Sequence, residues 1–98
     1  MKEVDAYHGI HAAPGFPDLP GFKRVEWFPP EPRTDRIRVR VHTCECAPIV
    51  YELCSAAGLF FIRRTDRTTS PTRIAESEWK ILPRIEGLWL RILAGQAR

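Results

Sequence analysis

Six of the nine prolines fall between residues 14 and 32, in the stretches PGFPDLPGF and FPPEPR. Proline has no backbone N–H and fixes φ near −65°, so a run this dense excludes a helix and a central strand and keeps the chain extended. Polyproline II turns once in three residues, which places Pro14, Pro17 and Pro20 on one ridge and Phe16, Leu19 and Phe22 on another. Residues 1–33 therefore read as an extended arm ahead of a domain at 34–98. Flexible linkers are rich in glycine and serine. This arm instead carries Tyr7, Phe16, Phe22, Trp27 and Phe28, too much apolar surface to leave in water. It is expected to dock, either on its own domain, whose core is small and marginal without cover, or on a neighbouring subunit or partner through proline-rich recognition.

Downstream the hydrophobic period changes. In RIRVRVHT, residues 36–43, Ile37, Val39 and Val41 face one way and Arg36, Arg38, Arg40 and His42 the other, the pattern of a half-buried strand. CECAPIVYELCSAAG follows, with Pro48 suited to a first helical turn, apolar Ile49, Val50, Leu53, Cys54 and Ala57, and Gly58 as a stop. This predicts a short helix. LFFIRRT at 59–65 returns to strand character, DRTTSPT supplies turn residues, and RIAES at 73–77 predicts a third strand in a hairpin. In the last segment Ile81, Leu82, Ile85, Leu88, Trp89, Ile92 and Leu93 fill an arc of about 140° at 100° per residue, opposite Lys80, Arg84 and Arg91. An amphipathic helix ending near Gly95 is expected, with Pro83 near its amino end. Trp79 and Leu90 fall outside that arc and form, with Trp89, a surface for Phe16, Leu19 and Phe22. The fold class is α+β: an arm followed by β-α-β-β-α, a three-stranded sheet packed with two helices. So broad an apolar helix favours a homodimer or the docked arm.

All three cysteines lie within HTCECAPIVYELC, and His42 stands two positions before the first. His42, Cys44, Cys46 and Cys54 form a Cys3His set, the number and softness that structural zinc takes. The C-x-C spacing is not that of the usual zinc knuckle. Residues two apart on a strand are about 6.5–7 Å apart, so shared zinc requires a turn at this point. Two other readings compete. Cys54 is a small core residue and the others loop thiols, or Cys46, at the amino end of the expected helix with His42 or Arg40 nearby, is a reactive thiol. His8 and His11 are too isolated in the arm to define a site. Glu76 and Glu78 read as a helix entry with Ser77 as its cap.

The formal charge is +3, and residues 33–73 hold eight of the fifteen bases against four acids. Arg36, Arg38 and Arg40 on one strand, with Arg63, Arg64, Arg67 and Arg73 on and after the next, make one basic patch if those strands are neighbours. Guanidinium groups so arranged suit the phosphates of nucleic acid or an acidic protein partner. Otherwise they solvate the sheet and pair with Glu45, Glu52 or Asp66. The chain has no P-loop, GxGxxG turn, HExxH or GxSxG elbow, and its carboxylates are scattered, so an enzyme is not expected. These features predict a small regulatory or adaptor binding module. The alternatives are an assembly protein working through its arm and last helix, and a thiol or redox enzyme using Cys46 or a small zinc-stabilised module. The chain has no apolar run near 18 residues and no signal-peptide pattern at its start. With an odd number of cysteines, this points to a cytoplasmic protein without a membrane span.

Overall fold

The computed structural model describes residues 11–12, 20–30 and 36–98. Strands β1 (Arg38–His42), β2 (Ile49–Ala56), β3 (Leu59–Asp66) and β4 (Arg73–Glu76) form one antiparallel sheet in the order β1-β2-β3-β4, and helix α1 (Leu82–Leu93) follows. The α+β class holds, with four strands and one helix in place of three and two. Among the described residues no helix is long and apolar enough to cross a membrane.

The difference lies at residues 48–57, which form β2 and not a helix. The segment IVYELCSA opens with two β-branched residues and a tyrosine, and every position from Ile49 to Ala56 pairs with β3. Both of its faces are covered. Tyr51 and Leu53 join Ile62 beneath α1, while Val50, Cys54 and Ala56 are buried on the other side with Phe61. A strand buried on two faces shows a nearly continuous apolar run, and over eight residues this imitates a short buried helix. Gly58 is not a helix stop but the second residue of a two-residue hairpin loop. Ala57 at φ 52° and Gly58 at φ 80° both take the positive φ of a type I′ turn.

A second correction concerns β1. Val39 lies opposite Cys54 and Val41 opposite Leu53, so Arg40 is an extra residue, a bulge. The bulge reverses the alternation. Val41 turns into the core under α1, and Val39, 42% exposed, turns to the opposite face.

Helix α1 starts where Pro83 can stand in its first turn without losing a hydrogen bond. Ile85, Trp89 and Ile92 are its buried stripe, each contributing about 1.5–3 kcal/mol on burial. It ends in a Schellman motif. Gly95, at φ 77°, donates its N–H to the Ile92 carbonyl, and Gln96 donates to that of Arg91.

Residues 20–30 of the arm lie on this framework. Lys23 exchanges backbone hydrogen bonds with the 96–98 segment, and Val25 N–H donates to the Arg98 carbonyl. Phe28 and Glu76 exchange a pair at 2.8 Å on the edge of β4. Between them Trp27 packs against Tyr51 at 6.2 Å between ring centroids, and the Arg64 guanidinium sits 5.8 Å over the Trp27 ring. Arg91 of α1 donates to the Gly21 carbonyl. Phe22 is half-buried beneath the Arg24 guanidinium, whereas Phe16 and Leu19 lie outside the described residues. Trp79 and Leu90 do not make one flank. Trp79 stacks on Phe61 at 4.4 Å, on the side of the sheet away from α1, while Leu90 is exposed and Trp89 is in the core.

The hairpin loop offers a direct check. Alanine in the left-handed region is strained by about 1 kcal/mol, which asparagine largely avoids. Ala57→Asn is therefore expected to raise Tm by about 5 °C, and Ala57→Val to lower it, in thermal denaturation. Equal melting of all three proteins would contradict the turn assignment.

Candidate metal centre

The connection between β1 and β2, residues 43–48, is held from two directions. Buried Thr43 donates its N–H to the Tyr51 carbonyl at 2.9 Å, and its hydroxyl accepts the Tyr51 N–H at 3.0 Å. From the far end of β3, the Arg67 guanidinium donates to the carbonyls of Glu45 and Ala47, and its backbone N–H donates to the Pro48 carbonyl at 2.9 Å. Arg67 is itself placed by the turn after β3. There Asp66 accepts the hydroxyl and the N–H of Thr68, and these bonds hold its carboxyl below the usual range.

Held in this way, the chain turns between its two cysteines. Cys44 points inward and is buried, Cys46 is exposed, and the Cys46 N–H donates to Cys44 Sγ at 3.4 Å. His11 of the arm brings Nε2 to 3.2 Å from Cys46 Sγ. The three donor atoms all lie within 4.8 Å of one another. Zinc binds sulfur at about 2.3 Å and nitrogen at about 2.0–2.1 Å, which spaces the donors around one ion by about 3.5–3.8 Å. The trio therefore has a metal site's spacing, and two sulfurs with one imidazole suit zinc.

This set differs from the one read in the sequence. Cys44 and Cys46 belong to it, and the turn that zinc required is present. His42 and Cys54 do not belong. His42 Nδ1 donates to the Thr43 carbonyl at 2.8 Å, and His42 lies across from Glu52 in the ladder. Cys54 is fully buried, with its thiol directed to the Glu52 carbonyl at 3.8 Å. Burial pushes that thiol up to about 11 despite the opposing pull of Arg63, so it is an inert core residue. His11 takes the place of both. It stands 35 residues from Cys46, and no local spacing announces such a partner.

The reactive-thiol reading relied on a helix beginning near Pro48, and the chain forms strand β2 there, so among the described residues no helix N-terminus lies at Cys46. The hydrogen bond shared with Cys44 raises the Cys46 thiol above its ordinary range, although Arg67 acts in the opposite direction. A divalent ion reverses this, because a coordinating thiol is deprotonated outright.

Beside the trio lies a cavity of ≈ 290 Å³ whose walls include His11, Cys44, Ile49, Tyr51, Ile92 and Arg98. Most of its lining is apolar.

The arginines do not form one patch, because β2 separates those of β1 from those of β3 and β4. Arg63 pairs with Glu52 at 2.7 Å, Arg64 covers Trp27 and lies 3.5 Å from Asp66, and Arg67 holds the loop. Arg36, Arg38 and Arg40 are exposed at β1, and Arg73 is exposed on β4, about 14 Å away at the usual strand spacing.

No protein-family model matches this chain, and no curated protein or solved structure does so either.

The Cys54 thiol gives stability a pH dependence of definite sign. Its ordinary value is 9.0 and its folded value about 11, so between these the unfolded chain has released a proton that the folded chain keeps. The contribution is complete below pH 9 and is lost as pH rises toward 11. Cys54→Ala is expected to be less stable at pH 7, through its cavity, and to decline less steeply from pH 9 to 11 in urea titrations. An equally steep decline in the variant would assign the effect elsewhere.

Proposed function

We propose that this protein is a small non-enzymatic binding module organised around a zinc ion held by His11, Cys44 and Cys46. The observation that carries this reading is the convergence of three soft donors from two distant segments to within 4.8 Å. The Cys46 N–H directed at Cys44 Sγ supports it, because an outer-shell donor of this kind orients a thiolate ligand. Zinc here joins the arm to the β1–β2 loop, and its binding free energy becomes folding free energy.

One zinc per chain is expected in native mass spectrometry. His11→Ala and Cys46→Ser should lose it and melt at lower temperature, while His42→Ala and Cys54→Ala should keep it. A metal-free wild type in zinc-supplemented buffer, or retention by His11→Ala with loss by His42→Ala, would overturn the assignment.

A second reading is favoured by β1 alone. Arg38 and Arg40 are exposed and make no ion pair among the described residues, so this edge suits an acidic protein or the phosphates of nucleic acid. Replacing both by alanine is expected to weaken nucleic-acid binding uniformly across sequences and to reduce the salt slope by about one unit per lost phosphate contact. Unchanged affinity at low salt would remove this reading.

A further inference from the structure

Resting on the zinc reading, we infer that the ion presents a fourth coordination position to the adjoining cavity, where it takes a small aliphatic thiol as its thiolate. His11 and Cys44 are at once metal donors and walls of the cavity, whereas Cys46 stands outside it. An ion among the three therefore sits in the cavity wall, with Cys46 on the solvent side. Closed structural zinc sites use four protein donors. Three donors of Cys2His type leave a position for an exchangeable ligand. Among the described residues no fourth cysteine, histidine or carboxylate joins the trio.

The chemistry of the walls selects the ligand. Ala12, Ile49, Tyr51, Ile92 and Ala97 offer an apolar surface to an aliphatic body, and ≈ 290 Å³ restricts it to a short chain or one ring. Zinc with two thiolates has no net charge, so a bound anion leaves the centre at −1. Arg98 in the cavity wall and Arg67 behind the loop are the cations placed to offset it. A sulfur head suits a centre already soft in its protein donors. The step is a ligand exchange. The thiol S–H bond breaks and its proton passes to solvent, a zinc–sulfur bond forms, a zinc-bound water leaves, and no electrons are transferred.

The test is a spectroscopic titration of the full chain loaded with Co²⁺, whose visible bands report its coordination. The probes are ethanethiol, propanethiol, butanethiol and 2-mercaptoethanol. One thiolate per cobalt is expected, with affinity rising about fourfold per added methylene and butanethiol binding at least tenfold more tightly than 2-mercaptoethanol. Ala97→Phe, which fills the cavity, should keep one cobalt and lose the chain-length preference. The wild-type series carries the test on its own if that variant does not fold. A chain that takes up no cobalt overturns the zinc reading itself. A cobalt-loaded chain whose bands ignore all four thiols, or that binds them without regard to chain length, overturns this inference and leaves the zinc reading standing.

Discussion

Burial of β2 on both faces is the constraint from which the rest of the structure follows. On one side Tyr51 and Leu53 receive Ile85, Trp89 and Ile92 of α1. On the other, Cys54 and Ala56 lie beside Phe61, whose ring is covered by Trp79. An antiparallel strand of this kind must have a partner on each edge, and β1 and β3 supply them. The approach to β2 is then fixed as well. Thr43 continues the pairing one residue past β1 by bonding Tyr51 twice, and the chain from Cys44 to Pro48 has to turn within that limit. The cysteine turn is thus a consequence of how β1 enters β2.

The arm is the second half of the arrangement. Its prolines remove donors, and the N–H groups of Lys23, Val25 and Phe28 find carbonyls on the domain. Trp27 then fills the space over Tyr51, with Arg64 closing the ring's outer face. Lys23 and Val25 are paired to the 96–98 segment, and Ala97 and Arg98 of that segment line the same cavity as His11 and Ala12. Apolar docking and the proposed metal site therefore involve the same segment. The hydrophobic contacts position the arm, and the proposed metal at His11 would tie its outer portion to the loop.

Where one face of an element is solvated, as in the helix after Pro83, its period was readable in the sequence. The strands at 59–65 and 73–77 were legible from their residue types and the turn residues between them, although Phe61 and Ile62 bury both faces of β3. At Ile49–Ala56 the period vanishes because both faces are buried, and Pro48 and Gly58 at its ends resemble helix punctuation although Gly58 serves a hairpin. The bulge at Arg40 has no signature in RIRVRVHT, and it dissolves the arginine stripe that strict alternation implies. Once β2 is a strand, the sheet order separates Arg38 and Arg40 from Arg63 and Arg64. At the candidate centre, the softness of Cys44 and Cys46 and the need for a turn were legible. The imidazole was not. His42 is near in sequence but is held by Thr43, whereas His11 is distant in sequence and near in space.

The central claim is that arm and loop meet at a Cys2His zinc site. Zinc K-edge EXAFS on the zinc-loaded chain in thiol-free buffer tests this most directly, because it counts sulfurs. Two sulfurs at about 2.3 Å and two nitrogen or oxygen atoms at about 2.0–2.1 Å, one of them showing imidazole scattering, are the predicted result. Three sulfurs would mean that Cys54 has left the core to coordinate, and a shell without imidazole would mean that the arm plays no part. Either result would contradict the account.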